Sequence, residues 1–559
     1  MASVDRKRHK MKGHRFILCR FLSEDIMPGA ALDPSGRKIL LSWPDGRNGC
    51  GITNEKGRDK NMNQYYEELK SYMDKGVALM HAMGLFSWDN ETLARPRSLE
   101  KTAKTIGILS AEYFSNLIND RVKELLNCLK DADDLTEVER AVVDKMTEDV
   151  RQLEVIPPEE YQAYSELVSR STSVWAKARE ENDFASFCPV LKEIIAYQKK
   201  FAGYMAKDGQ KKYDALLDQY EKGFGMEQLD AFFGQLKKEI VPLLKQVSQK
   251  NDAIDKSMIY RTYPVDKQKE FCQFLADYIG FDMERGIIAE SAHPFTIGFH
   301  NDDVRITNHF LPENVESAMF SVIHEGGHGI YEMGVSDEVS QTWVGGGASC
   351  GMHESQSRLF ENIIGRSRAF WQPIYGKLQE MYPEQLGDVT LDAFYRAINK
   401  AQASLIRTEA DELTYCLHIM VRYEAEKKIF EEDYPVEQLP QLWNQLYEEY
   451  LGVTPSTDTE GILQDIHWSQ GSFGYFPSYA LGNAFASQIY HQMEQDLDMP
   501  ALLAQGNFKE IDGYLGRHIH QYGASRPSAR LLKDMTGEDF NPTYYTEYLK
   551  KKYAEIYDL

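Results

Sequence analysis

From Tyr65 onward, Leu69, Tyr72, Met73 and Met80 recur at i, i+3 and i+4 spacing, the period of a helix with one apolar face. The pattern returns, with Glu and Lys on the outer face, in residues 121–129, 159–168 and 226–247. It returns again in residues 440–451, where Pro440 suits a first helical turn. Other prolines fall mostly at segment edges, as at Pro157, Pro158, Pro383 and Pro455. The chain from Met62 to Leu559 therefore reads as mainly α, one large helical domain with no linker, repeat or low-complexity tract to divide it. One stretch breaks the helical period. Residues 295–299 and 304–310 are β-branched and aromatic, and His300-Asn301-Asp302-Asp303 between them has turn chemistry, which predicts a small hairpin.

Residues 1–61 differ, being rich in Gly, Pro, Arg and Lys with little periodicity. Codons for Lys56-Gly57-Arg58 could form a purine-rich stretch like a bacterial ribosome-binding site just before Met62. The expectation is that Met62 is the natural start and that residues 1–61 are a mis-assigned or dispensable extension; a small N-terminal appendage is the competing reading.

A chain of 559 residues with 42% hydrophobic content has enough apolar mass for a sizeable core. Its net charge of −23 disfavours nucleic acid and anionic membrane surfaces as partners. Cys19, Cys50, Cys128, Cys188, Cys272, Cys350 and Cys416 are scattered, odd in number and without C-x-x-C spacing, as expected of free thiols in a reducing compartment. No apolar run is long enough to span a bilayer, and Phe16-Ile17-Leu18-Cys19 is cut off at Arg20 before it can form a signal core. The expected location is the cytoplasm.

Candidate chemistry centres on His324-Glu325-Gly326-Gly327-His328. Phe320, Ile323 and Tyr331 flank it at helical spacing, with Glu316 and Ser317 near the helix start. On a helix, positions i and i+4 lie one above the other, so His324 and His328 can offer an imidazole nitrogen each to one metal ion. Glu325 on the adjacent face reaches a water without ligating the metal. Gly326, Gly327 and Gly329 crowd one turn, although each mid-helix glycine costs about 1 kcal/mol relative to alanine. Such glycines let another backbone, or a substrate, come close. A catalytic zinc needs a third protein ligand and an open position. Glu354, in Met352-His353-Glu354-Ser355-Gln356-Ser357-Arg358, is the first choice, with Gly345-Gly346-Gly347 as a flexible connection. His353 is the alternative ligand, and a plain i+4 ion pair to Arg358 is the competing use of Glu354.

These residues together resemble the carboxypeptidase Taq family of zinc metallocarboxypeptidases. The resemblance rests on the two metal motifs and on further segments in the same order. They are Leu85-Phe86-Ser87-Trp88-Asp89, His293-Pro294-Phe295, Asp303-Val304-Arg305-Ile306-Thr307, Ile406-Arg407-Thr408-Glu409-Ala410-Asp411, and the run from Gly461 through Asp465 and His467-Trp468 to Tyr475-Phe476-Pro477. It covers essentially Met62 to the C-terminus and implies a helical fold with a deep cleft, a small sheet near the metal and a homodimer. It also implies Zn2+, with Co2+ suited to the same ligands, and release of single C-terminal residues from peptides.

Residue by residue, Asp303, Arg305 and Thr307 should share one strand face and could line a cleft. Arg407 and Asp411 are read as i and i+4 on a helix, Asp411 orienting the guanidinium to grip a terminal carboxylate. His293, held extended by Pro294, is a further candidate for the substrate side. Tyr475 or Tyr479 is expected to donate to the oxyanion. Glu325 is the expected general base. Two rivals stand beside this reading: a zinc oligopeptidase of similar helical-cleft build, and a helical scaffold with a vestigial motif.

Overall fold

The computed structural model describes residues 55–559, with side chains from Asn63 onward. The expectations for residues 1–61 lie almost wholly outside the described residues; helix is continuous from Glu55 to Thr92, through Met62.

The amphipathic segments form the helices Asp120–Leu129, Met226–Gln249 and Leu439–Leu451 close to their predicted bounds, while the segment read at 159–168 is the start of a longer helix, Pro158–Glu181. Local chemistry sets their ends. Thr136 and Glu139 form a reciprocal capping box at the start of the Glu137–Glu154 helix. Gly452, at φ +70°, ends the Leu439–Leu451 helix in the left-handed region. Proline is not confined to edges, since Pro189 and Pro242 lie inside helices.

Two packing units result. The N-terminal helices, including Leu99–Leu117, build a core from Leu69, Met73, Leu125, Val142 and Met146 that reaches Val335, Val339 and Val344. The larger core surrounds three helices buried on nearly every face: Val315–Met333, Glu412–Glu431 and Phe476–Asp496. A helix apolar or satisfied all round belongs at the centre of a large protein.

The predicted hairpin is present as β2, Thr296–His300, and β3, Asp303–Asn308, paired antiparallel. A third strand, β1, Gly286–Glu290, joins parallel to β3 and gives the order β1-β3-β2. The sheet is sandwiched. Thr296, Val304 and Ile306 face the Val315–Met333 helix, with Thr296 hydrogen-bonded to Glu325. Ile297, Phe299 and Arg305 face the opposite way, toward Trp88 and Gly84 of the long N-terminal helix.

Cys188, Cys272, Cys350 and Cys416 are free thiols; Cys128 is disulfide-bonded, so the all-thiol expectation fails there. No described helix is long and apolar enough to cross a membrane.

Candidate metal centre

The Val315–Met333 helix is capped by Asn314, whose side chain accepts from Ser317 N. At its middle and one turn beyond, His324 and His328 stack edge to face with ring centroids 4.9 Å apart. The second ligand helix, Cys350–Arg358, is capped by Ser349 and brings Glu354 opposite them. Glu354 Oε2 lies 4.0 Å from His324 Nε2 and 3.7 Å from His328 Nε2. All three side chains are buried, and their donor atoms form the only His/Cys/Asp/Glu group of metal-holding geometry among the described residues.

The donor set fits a zinc-like ion. Bonds of about 2.0–2.2 Å in a tetrahedral site put ligand atoms roughly 3.3–3.6 Å apart, so a small contraction would complete the coordination. His328 Nε2 and Glu354 Oε2 are buried with no hydrogen-bond partner, an expensive state for polar atoms that a cation would relieve. Burial, reinforced by His353, His324 and Arg358, holds His328 well below the usual histidine range, so it is neutral and has a lone pair to give.

The remaining atoms of each ligand are fixed by others. Arg358 Nε donates to Glu354 Oε1 at 2.7 Å, so the i+4 ion pair and the ligand role coexist: one oxygen is tied back and the other is aimed at the histidines. His324 Nδ1 lies 2.8 Å from Glu361 Oε2, which also accepts from Arg358 Nη1 at 3.2 Å. Glu361 sits in a π-helical turn, Leu359–Ile364, that continues the ligand helix. His353 lies outside the converging trio. Its Nδ1 is 2.6 Å from His328 Nδ1 and its Nε2 is 2.7 Å from Glu332 Oε1. Glu325 receives the Thr296 hydroxyl on Oε2 at 2.7 Å.

The glycines explain how the two ligand helices come so close. A Cβ on Gly327 would lie 2.9 Å from Gln356 O and Ser357 Cα of the partner helix, so this one serves the close backbone approach. Gly326 and Gly329 are instead filled by Ile279 and Phe281. From the other side, Gly482 of the Phe476–Asp496 helix makes room for the stem of Glu354, whose Cγ would lie 2.5 Å from a Cβ placed there. The Gly345–Gly347 stretch is packed and not a loose connection: a Cβ on Gly345 would meet Ser340 O at 2.1 Å, and Gly347 N donates to Glu332.

Outside the trio, the expected residues are dispersed unevenly. Tyr475 immediately precedes the Phe476–Asp496 helix and Tyr479 is in its first turn, their rings 5.1 Å apart. Arg407 is buried and stacks over the Tyr479 ring at 5.3 Å. Its assigned partner is corrected. Arg407 lies in a short turn, Arg407–Glu409, before the helix begins, so Asp411 cannot be its i+4 neighbour. Asp411 caps the Glu412–Glu431 helix through Thr414 N and also accepts from Gln402 N. The carboxylate that holds Arg407 is Asp465, whose Oδ1 accepts from Nε and Nη2 at 3.1 and 2.8 Å, while Arg422 takes Oδ2. Burial alone would raise Asp465, but the two arginines hold it well below the usual carboxylate range.

Arg305 does not join the metal helix. It pairs with Asp303 at 2.8 Å and lies over the rings of Phe299 and Trp88, on the far face of the sheet. Thr307 is buried against Ser291 and Phe295 N. His293 is half-buried just ahead of β2. The trio itself is enclosed. A cavity of about 780 Å³ opens elsewhere, along Gln162, Ser165, Glu166, Ser169 and Ser173 of the Pro158–Glu181 helix.

Sequence reasoning missed Glu361, Glu332, Thr296 and the role of Asp465. Two of these carried a signal, since Glu361 is seven positions beyond Glu354 and Glu332 four beyond His328, each on its ligand's helix face.

Residues 68–553 match the carboxypeptidase Taq (M32) metallopeptidase family. The chain is 42% identical over 498 residues to carboxypeptidase 1 of Bacillus subtilis (strain 168), covering 88% of this chain and 98% of that one. It is 34% identical over 485 residues to thermostable carboxypeptidase 1 of Pyrococcus furiosus, covering 85% and 96%. Among solved structures it resembles the M32 carboxypeptidase of Deinococcus radiodurans R1, with TM-score 0.84, 30% identity and coverage of 90% and 100%.

Proposed function

We propose, for a chain that belongs to the carboxypeptidase Taq (M32) metallopeptidase family and is a metal-dependent carboxypeptidase, that it removes C-terminal residues from peptides one at a time, with broad side-chain tolerance, using zinc. The observation that carries this is the convergence of His324, His328 and Glu354 with two of their donor atoms otherwise unpartnered. Cobalt suits the same ligands.

A divalent ion held there supplies Lewis-acid activation of water and of the scissile carbonyl. Glu325, oriented by the Thr296 hydroxyl, takes the proton of the attacking water and returns it to the leaving amine. Tyr475 or Tyr479 donates its hydroxyl to the developing oxyanion. Tyr479 is three positions before Gly482, whose contact with the Glu354 stem puts that helix face toward the metal ligands. Arg407 meets the substrate's terminal carboxylate. Its Nε–Nη2 edge belongs to Asp465 and its Nη1 donates to the Tyr415 hydroxyl at 3.3 Å, so the second Nη1 hydrogen is the one a carboxylate would take. His293 assists from the start of β2, and Arg305, turned toward Trp88, has the lesser part.

A cytoplasmic location is supported by four buried free thiols, with the bonded Cys128 standing against it. A homodimer is inferred from the family resemblance and is checked by light scattering on the purified protein.

A time course on an unblocked peptide by mass spectrometry tests the reaction. The expected result is a ladder that shortens from the C-terminus, stops with chelator and fails on the amidated peptide. Equal cleavage of the amidated peptide would establish an oligopeptidase instead. Glu325→Gln should keep about one zinc per chain and lose turnover; near-normal activity would remove Glu325 from the role of base.

A further inference from the structure

The segment between Gly461 and Tyr475 carries Asp465, His467 and Tyr475 on little regular structure of its own, a short turn at His467–Gln470. What holds it is a carboxylate outside every motif named above. Glu426 lies fully buried on the Glu412–Glu431 helix. Its Oε1 accepts from Trp468 Nε1 at 2.7 Å. Its Oε2 accepts from Gly474 N at 2.7 Å and from the Tyr213 hydroxyl at 2.9 Å. Trp468 is the residue after His467 and Gly474 the residue before Tyr475, so one carboxylate grips the backbone neighbours of both. Between these grips the His467 and Tyr475 rings stack with centroids 5.6 Å apart and planes 26° apart. The turn is also pressed from behind. Gly474 has φ +88°, and a Cβ there would lie 2.9 Å from the Leu216 carbonyl carbon.

We propose that Glu426 is a positioning residue for hydrolysis: by accepting from Trp468, Gly474 and Tyr213 together it sets Tyr475 against His467. This rests on the carboxypeptidase reading above. Only an ionised carboxylate can accept from three donors without presenting one of its own. A protonated carboxyl or an amide would turn an O–H or N–H toward at least one of them, and a buried donor left unmatched is costly. Burial pushes the Glu426 carboxyl up to about 7, against the lowering by Trp468, Gly474, Tyr213 and Arg422. The other charged or titratable groups facing this hub are Arg422, Tyr423 and Glu424 on its own helix, Glu431 beyond Tyr213, and Asp465 and His467 on the gripped segment. As the pH falls through about 7 the three-way grip is lost, so activity falls on the acid side.

The metal-loaded enzyme, Glu426→Gln, Tyr475→Phe and the double variant are compared by steady-state kinetics on an unblocked peptide between pH 5 and 9. Metal content and unfolding temperature are measured alongside. Glu426→Gln should keep its metal and lower kcat about 10- to 100-fold at pH 8, the scale of a small misplacement at a reacting centre, with KM within about threefold. It should also lack a kcat step near pH 7 that the wild type shows. The double variant should turn over within about twofold of Tyr475→Phe, because the two act as one unit. Trp468→Phe removes one donor and should lower kcat in the same direction by a smaller factor; it decides the matter if the glutamine variant does not fold. Wild-type kcat and pH profile in Glu426→Gln, losses that multiply in the double variant, or a neutral Trp468→Phe would each overturn the proposal. Turnover of a C-terminally amidated peptide by the wild type would overturn the carboxypeptidase reading alone, and the Glu426 comparison would stand on that substrate.

Discussion

His324 and His328 sit one turn apart on the same helix and face the same glutamate, yet they are backed by different chemistry. Behind His324 the acceptor is a carboxylate, Glu361, itself tied to Arg358 and Arg366, and Arg366 pairs with Glu316 at 2.8 Å. Behind His328 the acceptor is another imidazole, His353, and the carboxylate comes only afterwards, as Glu332. The Tyr331 ring then lies 5.1 Å from His353 and 5.0 Å from His520. A carboxylate acceptor fixes the tautomer of a ligand histidine and also makes it more basic. An imidazole acceptor fixes the tautomer but passes on less charge. The difference teaches that one side of this site is set by ion pairs and the other, around the neutral His328 and His520, by packed rings, so the two should fail under different treatments.

Glu354→Ala removes the group common to both sides, and metal content should drop to background by elemental analysis; retained metal would mean that the convergence is not a binding site. Glu361→Gln breaks the ionic side and should weaken metal affinity about 10- to 100-fold in chelator competition. Acid attacks the neutral side. Burial, with a contribution from His353, lowers His520 to about 3, and burial with its positive neighbours lowers His328 too. These groups are neutral when folded but protonate in the unfolded chain below about 6.5, so their stabilising contribution is full above that pH and declines as the pH falls. Going from pH 7 to pH 5 should cost the metal-free protein about 2 kcal/mol for His520 alone. A melting temperature flat over that range would contradict this. Glu332→Gln, at the far end of the neutral side, should change affinity least, by roughly threefold or less, since second-sphere effects weaken with each intervening group. If it matched Glu361→Gln, the two sides would be equivalent after all.

Much of this site could be read from local spacing, because its parts sit at helical intervals. The imidazole pair and the hairpin before it follow from short-range patterns. The choice between Glu354 and His353 rested on chemistry, and the structure assigns them to different layers. Long-range partnerships left no such trace. Arg407 pairs with Asp465 across 58 positions, and i+4 spacing made Asp411 look like the partner although its position just before a helix marks a cap. β1 was missed because Gly286–Glu290 is a short run without alternation, and only its parallel pairing with β3 makes it a strand. The polar stripe of Asp303 and Arg305 was placed correctly on one strand face; which face looked toward the metal helix depended on the N-terminal helix packing on the other side.

The ligand helix that carries Glu354 is clasped between Gly327 on one side and Gly482 on the other, with main-chain atoms in near contact at the first. A side chain larger than hydrogen at either glycine would push it out of place. Two imidazole nitrogens and one carboxylate oxygen suit a zinc-like ion by donor type, whereas calcium takes about six to eight oxygens. The glycine clasp therefore sets how near the carboxylate comes to the two imidazoles, leaving the choice among ions to donor chemistry.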